Sequence, residues 1–273
     1  MTITPALHEA AIRLLGACEP SATMGTSVAR VTTAIGTEFI VKQHSSRANH
    51  DREVHAYRHW TRALGPSAPK LVATHNPAMI IITTALPGEP CPGEGTAAMF
   101  RQAGALLRRF HDAELPIEIP WFRGWLQDRG RYWSSHARTL LSGAEVGVVV
   151  SHLAALCEGP VLRGSPCHLD FQPRNWLVGQ SGNVSLIDYE HSRIDLNVRD
   201  FVRLRFRVWR ARPDLQDAFF EGYGRLLTED EDELVWHLGA LDALTALARG
   251  HQTGDEELTA AGLATLRQLV DRQ

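Results

Sequence analysis

Few folds accommodate the stretch HLDFQPRN, which begins at His168 and ends at Asn175. Its polar residues do not suit a strand. Pro173 excludes the middle of a helix, because proline lacks a backbone N–H and its ring clashes with the preceding turn. Asp188 follows thirteen residues after Asn175, in the mainly apolar stretch VSLIDYE. A loop followed by a strand that ends in an acid predicts that Asp170, Asn175 and Asp188 face one point.

These three side chains are the oxygen groups that a magnesium-dependent reaction needs. Mg²⁺ prefers oxygen ligands and is usually held by one or two carboxylates together with substrate phosphates. A carboxylate that does not bind the metal can orient a hydroxyl group and accept its proton. Taken alone, Asp170 fits a turn-capping role about equally well, so the chemistry is indicated by the three residues together.

The chain changes character after about ninety residues. TSVARVTT and TEFIVKQ predict a β-hairpin around AIGT, HDREVHAYRHWTRAL predicts a helix, and PKLVAT and MIIITTAL predict two more strands. The segment PGEPCPGEG predicts a hinge, and helical patterns dominate after it. We therefore predict an α+β protein with a small, mostly antiparallel β lobe over 1–86, a larger helical lobe over 87–273, and a hinge at about 83–90.

Two helices of the second lobe have clear sequence signals. One carries an apolar stripe from Phe100 to Phe110, with Thr96 as its N-cap. The other begins with a capping box at Thr228 and is expected to end at Gly250.

Composition excludes several classes of protein. The chain has 273 residues and a net charge of −3, which gives no reason to expect nucleic-acid binding. Its longest apolar run is too short to cross a bilayer, and its start does not resemble a signal peptide. The four cysteines lack metal-ligand spacing. We expect reduced thiols in a cytoplasmic monomer or homodimer that binds no membrane.

The motifs resemble those of the aminoglycoside phosphotransferase family, which shares the protein-kinase-like fold. HLDFQPRN and IDYE match the patterns H-x-D-x-x-x-x-N and I-D-x-E. The resemblance implies that Asp170 is the catalytic base and that Asn175 and Asp188 bind Mg²⁺ against the nucleotide phosphates. It also implies that His168 supports the loop.

The resemblance extends to the nucleotide-binding lobe. Lys42, one of only two lysines, would contact the α- and β-phosphates of ATP or GTP, and Glu53 would hold it in place. The stretch GTSVARV takes the place of the loop that covers the phosphates, but it has a single glycine, Gly25. Thr26 and Ser27 would offer backbone N–H groups and hydroxyls instead.

Three further segments fit the same family. IIITTALPGEP resembles the family's hinge, where backbone groups of Thr84 and Leu86 would bind the purine edge. His111, in LLRRFHDAEL, would pack near the catalytic loop. Asp200, in RDFVRL, would brace that loop.

Acceptor contacts are expected from aromatic and acidic residues. Trp121, Trp125 and Trp133 lie in WFRGWLQDRGRYW, a region that helps to form the acceptor pocket in the related enzymes, although packing in a helix core is an open alternative. Glu190 and Asp195 are further acceptor candidates, and Asp195 would suit a cationic acceptor. Simple solubility is the alternative for such acids.

The predicted function is Mg²⁺-dependent transfer of the nucleotide γ-phosphoryl group to a hydroxyl of a small molecule. The expected acceptor is an antibiotic or natural product, such as an aminoglycoside, nucleoside or peptide antibiotic, in resistance or self-protection. Homoserine, choline or a sugar is the metabolic alternative, and a non-catalytic nucleotide-binding scaffold is the alternative of another class. The stretch between Asp188 and Asp200 is too short for the activation segment of a protein kinase.

Overall fold

The chain divides into two compact units, which are described separately. The computed structural model describes residues 5–23, 27–93 and 95–272. The first unit consists of Met1–Gly95, Ala105–Glu114 and His168–Arg193. The second consists of Thr96–Gly104, Leu115–Cys167 and Ile194–Gln273. The lobe boundary expected at residues 83–90 stays a prediction.

Strands dominate the first unit and helices the second, which confirms the α+β class. The strands are β1 (Cys18–Thr23), β2 (Val28–Thr33), β3 (Glu38–Gln43), β4 (Leu71–His75), β5 (Ile80–Thr84), β6 (Glu89–Pro90), β7 (Ile117–Glu118), β8 (Arg163–Cys167), β9 (Trp176–Val178), β10 (Val184–Leu186) and β11 (Arg193–Asp195). The helices are α1 (Pro5–Leu15), α2 (Arg47–His59), α3 (Ala97–His111), α4 (Phe122–Ala137), α5 (Gly143–Cys157), α6 (Arg199–Leu204), α7 (Pro213–Tyr223), α8 (Glu229–Thr253) and α9 (Glu256–Asp271). None of these described helices has the length and apolar character needed to span a membrane.

The main sheet of the first unit is antiparallel and has the strand order β1-β2-β3-β5-β4. The predicted hairpin is confirmed as β2 and β3, with Gly36 at a φ of 79° in the turn between them. Lys42 pairs with Val28 on one side and with Ile81 on the other. Its side chain is therefore held on a strand that has neighbours on both edges.

Helix α2 carries polar as well as apolar residues on its buried face. The hydroxyl of Ser46 caps its N-terminus by accepting from the N–H of Asn49. The buried residues of the helix include Glu53, Val54 and Tyr57. A buried carboxylate needs a charged or hydrogen-bonding partner, so the position of Glu53 points to a polar cluster inside this unit.

A small sheet with the order β10-β9-β6 completes the first unit. The predicted hinge segment contributes β6, which pairs with β9. Gly88, just before β6, has a φ of 119°, and a Cβ built there would lie 2.6 Å from the carbonyl oxygen of Val178. Only glycine fits both this conformation and this close approach.

The second unit contains the helices α4–α9 and the sheet β11-β8-β7. Its longest helix, α8, begins with the predicted capping box of Thr228 and Glu231. The predicted end at Gly250 is wrong, since α8 continues to Thr253 and Gly254 caps it at a φ of 70°. Gly250 instead lies where α9 passes closely, because a Cβ there would be 2.3 Å from Oγ1 of Thr259.

Helix α3 contributes its first half to the second unit and its second half to the first. Its apolar stripe is confirmed, because Phe100, Ala103, Leu107 and Phe110 are fully buried. The hydroxyl of Thr96 accepts from the N–H of Met99, as an N-cap does.

Candidate active site

His168 lies at the start of the loop between β8 and β9. Nε2 of its ring lies 3.1 Å from the carbonyl oxygen of Ile187, and Nδ1 lies 3.4 Å from the backbone nitrogen of Asp170. A ring with its proton on Nε2 satisfies both contacts. Leu169, the next residue, has a φ of 61°, a conformation that costs energy for a branched residue. The supporting role expected for His168 stays a prediction.

Three side chains donate to the nearly buried carboxylate of Asp170. Nδ2 of Asn175 lies 2.8 Å from Oδ2, Nε2 of Gln172 lies 2.6 Å from Oδ1, and the exposed Arg174 lies 3.0 Å from Oδ2. Nδ2 of Asn175 also lies 2.8 Å from the backbone carbonyl of Asp170. Both N–H bonds of the Asn175 amide are thus used. Its oxygen Oδ1 consequently points away from Asp170, where it can serve as a ligand.

The ammonium group of Lys42 joins three carboxylates from separate parts of the first unit. Its Nζ lies 2.9 Å from Glu53, 2.6 Å from Asp188 and 3.0 Å from Glu190. The two loop acids follow β10, and Asp188 has a φ of 68°. Aspartate tolerates this left-handed conformation better than most residues do. Strained backbone of this kind clusters at functional sites.

The charges of this cluster stabilise one another. Burial disfavours the ammonium of Lys42, but the three carboxylates outweigh burial and raise its pKa. Burial alone would raise the pKa of Glu53, yet the charge of Lys42 and the hydrogen bond from His44 lower it. The pKa of Asp188 is likewise lowered by Lys42 against the effect of burial. Lys42, Glu53 and Asp188 are therefore ionised at neutral pH.

His44 belongs to this cluster, and the sequence analysis missed it. Its fully buried ring places Nε2 2.6 Å from Glu53 and Nδ1 3.2 Å from the carbonyl oxygen of Met79. Both partners are hydrogen-bond acceptors. His44 directly follows β3, and side chains two positions apart along an extended chain share a face. The spacing between Lys42 and His44 was the signal that could have found it.

The hinge and the phosphate-loop residues are placed only in part. The N–H of Thr84 donates to the carbonyl of Lys70, and its hydroxyl accepts from the Lys70 N–H. Leu86 is half-buried. The carbonyl of Ser27 accepts from the N–H of Gln43, while Gly25 and Thr26 lie outside the described residues. Nucleotide contacts by Ser27, Thr84 and Leu86 stay predictions.

Most expected acceptor residues lie in the second unit. Asp195 is fully buried and engaged, since its Oδ2 lies 2.6 Å from Arg199 and its Oδ1 accepts from a backbone N–H. Trp121 is exposed, Trp125 is half-buried and Trp133 is buried. Glu190, the remaining candidate, lies in the first unit beside Lys42.

The two expected supporting residues are both buried. His111 is the last residue of α3, in the first unit, and Asp200 lies in the first turn of α6, in the second. Their expected support of the catalytic loop stays a prediction.

The first unit combines a buried Lys–Glu pair on a sheet, a loop with Asp170 and Asn175, and Asp188 after β10. This combination is the one expected of a kinase-like phosphotransferase. A family model supports this class. The chain belongs to the phosphotransferase enzyme family, whose model matches residues 22–237. It is accordingly an enzyme of the phosphotransferase class. No match was found among curated protein sequences.

Solved structures show the same fold at low sequence identity. An aminoglycoside phosphotransferase from Alicyclobacillus acidocaldarius is 19% identical, with a TM-score of 0.65, and the match covers 100% of this chain and 98% of that one. The choline kinase LicA from Streptococcus pneumoniae is 16% identical, with a TM-score of 0.69 and 98% coverage of both chains. APH(2")-IIia in complex with GDP and kanamycin is 13% identical, with a TM-score of 0.69 and coverages of 98% and 99%. These likenesses confirm the kinase-like fold.

Proposed function

We propose that this enzyme transfers the γ-phosphoryl group of ATP or GTP to a hydroxyl group of a small molecule, with Mg²⁺ as cofactor. The observation that carries the proposal is the contact of Lys42 with Glu53, Asp188 and Glu190. An ammonium group held between carboxylates is fixed in position, and a fixed cation can neutralise phosphate charge without reorganising during the reaction.

Asp170 is the group proposed to orient the acceptor hydroxyl and take its proton. Its carboxylate is buried, and amide hydrogen bonds from Gln172 and Asn175 fix its direction. The third donor, Arg174, has a side chain that is 68% exposed. An exposed side chain can move aside at little cost, so an acceptor hydroxyl could replace it at Oδ2.

The residues proposed for Mg²⁺ suit a hard cation. Asn175 offers its amide oxygen Oδ1, because both N–H bonds are already donated to Asp170. Asp188 offers a carboxylate that is 35% exposed and ionised. Both donors are oxygens, as Mg²⁺ requires. When bound, Mg²⁺ would neutralise charge on the nucleotide phosphates.

Lys42 would contact the α- and β-phosphates, and its partners would keep it in place. Glu53 contacts the ammonium group of Lys42, and His44 contacts Glu53. Both side chains are almost completely buried, so they are positioned to hold the ammonium group in place and not to bind substrate. Loose phosphoryl-transfer transition states depend mainly on positioning and on charge stabilisation. The buried Lys42–Glu53–His44 chain supplies both.

The acceptor proposed first is an antibiotic or related natural product. Support comes from the family and from the fold shared with an aminoglycoside phosphotransferase. A metabolic alcohol is the second candidate, and the likeness to a choline kinase favours it. Proteins with kinase-like folds act on many substrates, so the fold alone does not distinguish between these two classes of acceptor.

A panel of hydroxylated antibiotics and metabolites tests the proposal. The purified chain is incubated with Mg²⁺ and either ATP or GTP, and mass spectrometry detects addition of one phosphoryl group to each compound. We expect at least one product, and at least about a hundredfold less of it with the Asp170→Asn variant. If the wild-type chain binds nucleotide but consumes none with any acceptor or with water, it is a nucleotide-binding scaffold and the proposal is wrong.

A further inference from the structure

Three arginine side chains of the second unit surround two tryptophans. The guanidinium carbon of Arg129 lies 5.0 Å from the ring centre of Trp133 and 5.9 Å from that of Trp125. Arg199 lies 5.1 Å from the Trp125 ring and Arg249 lies 5.8 Å from the Trp133 ring. Each of the two indole rings therefore lies close to two guanidinium groups. We call these five residues the Arg–Trp cluster; they come from α4, α6 and α8.

The Arg–Trp cluster has more positive than negative charge. Arg199 forms an ion pair with Asp195 at 2.6 Å. Within the described part of the chain, Arg129 and Arg249 form no ion pair. Burial, followed by the like charges of Arg199 and Arg249, lowers the pKa of Arg129. Arginine nevertheless stays protonated at neutral pH, so three cations share one carboxylate.

A purely structural role would leave a different pattern. Elsewhere in the same unit, Arg203 and Arg207 both reach Asp242 of α8, at 3.5 and 2.8 Å. The fold thus neutralises one pair of arginines with the half-buried Asp242 and leaves the half-buried Arg129 and the exposed Arg249 without such an acid. Indole rings attract guanidinium groups, but they do not cancel the repulsion among three of them. An anion would.

We propose that the Arg–Trp cluster binds an acidic group, a carboxylate or phosphate, on a ligand with a flat ring. Guanidinium groups bind carboxylates and phosphates through paired hydrogen bonds. Trp125 is half-buried and offers a face for the ring, whereas Trp133 is buried. Cationic ligands are disfavoured at this cluster, because the three arginines would repel them.

Collisional quenching of tryptophan fluorescence tests the charge of the cluster without any turnover. The emission of Trp125 is obtained as the difference between the wild type and the Trp125→Phe variant. Quenching of this emission by iodide is then compared with its quenching by caesium. We expect iodide to quench this emission at least threefold more strongly than caesium. The Arg129→Gln/Arg249→Gln double variant should bring the ratio close to one, and Arg131→Gln, an exposed arginine of the same helix, should not change it. A ratio near one in the wild type, or an unchanged ratio in the double variant, overturns the proposal.

A series of three ring-matched ligands tests the ligand class. Uridine 5′-carboxylate, its carboxamide and 5′-amino-5′-deoxyuridine are titrated calorimetrically, with a non-hydrolysable ATP analogue and Mg²⁺ saturating so that the nucleotide site cannot bind them. We expect the carboxylate to bind at least tenfold more tightly than the carboxamide, and the amine to bind most weakly. The double variant should lose this order. Equal affinities, a preference for the amine, or no measurable binding of the carboxylate overturns the proposal.

Failure of the proposed function would look different. If the cluster attracts iodide and the carboxylate but the enzyme never transfers phosphate, the anion site stands and the phosphotransfer proposal fails. If phosphate is transferred to cationic acceptors and the quenching ratio is near one, the phosphotransfer proposal stands and the anion site fails.

Discussion

At the scale of single residues, buried charges determine the geometry of the candidate site. The side chain of Lys42 is 16% exposed, that of Glu53 2% and that of His44 0%. Burying such groups is unfavourable unless each charge is paired and hydrogen-bonded. Removing one partner should therefore affect both stability and function.

His44→Ala tests this reasoning. The variant removes the Nε2 donor of His44 from the buried carboxylate of Glu53, which keeps its contact with Lys42. A hydrogen bond to a charged group contributes about 1.5–3 kcal/mol. We expect a loss of that size in the free energy of unfolding, measured in urea, and weaker binding of Mg²⁺–ATP. His251→Ala, at an exposed histidine, should change neither quantity. Nucleotide affinity that is unchanged in His44→Ala would contradict a positioning role for His44.

The site residues differ in how far sequence reveals them. The residues Lys42, Glu53 and Asp188 could be found from motif order, and the structure brings their charged groups together. Motif order does not include His44, whose sequence signal is only its spacing from Lys42. Its contact with the carbonyl of Met79, in a turn thirty-five residues away, leaves no signal. Long-range backbone contacts leave no residue-type signal at either end.

At the scale of secondary-structure elements, helices α5 and α8 meet through a pair of histidines. Nδ1 of His152 lies 2.8 Å from Nδ1 of His237. One nitrogen must donate and the other accept, so the contact needs at least one neutral ring. Burial is the main cause that lowers the pKa of both residues.

This contact predicts an acid-sensitive helix pair. Histidines with a lowered pKa in the folded state bind protons more readily when unfolded, so the fold loses stability as the pH falls below the unfolded value of 6.5. We expect the free energy of unfolding to fall between pH 7 and pH 5. The free energy of unfolding of the His237→Gln variant should fall less over the same pH range. Urea titrations at each pH measure this difference. An identical pH dependence in the variant would contradict this reading.

Two elements at the N-terminus show why sequence patterns miss part of a fold. Strand β1 has the sequence CEPSAT, which includes Pro20 and no alternation of apolar residues, and it is an edge strand with an irregularity at Pro20. Its place is fixed mainly by backbone pairing to β2, together with the buried side chain of Cys18. Helix α1 buries Leu7 and Ala11 against the sheet, a contact that is visible only once the sheet exists.

At the scale of the whole molecule, binding of the nucleotide should increase the stability of the folded protein. A ligand at about one hundred times its Kd adds about 2.7 kcal/mol to the free energy of unfolding, which corresponds to a rise of about 5–10 °C in Tm for a chain of this size. We expect Mg²⁺ with a non-hydrolysable ATP analogue to produce such a rise in a thermal-unfolding assay. EDTA should abolish most of it.

The Asp188→Asn variant is the matched control for metal dependence. Its amide keeps the shape of the side chain but removes the charge proposed to bind Mg²⁺. We expect Mg²⁺ with the ATP analogue to raise the Tm of the variant only slightly, with or without EDTA. A full, EDTA-sensitive rise in Asp188→Asn would remove Asp188 from the proposed metal site.

In the proposed mechanism, Asp170 activates a hydroxyl group beside a nucleotide held by Lys42 and the metal ligands. The direct measurement is phosphoryl transfer by Asp170→Asn at saturating nucleotide, with nucleotide affinity determined on the same sample and Asp128→Asn as an exposed control. We expect a turnover lowered by about 10²–10⁴-fold, the usual contribution of a general base, and a nucleotide Kd close to that of the wild type. A turnover close to that of the wild type would contradict this role of Asp170.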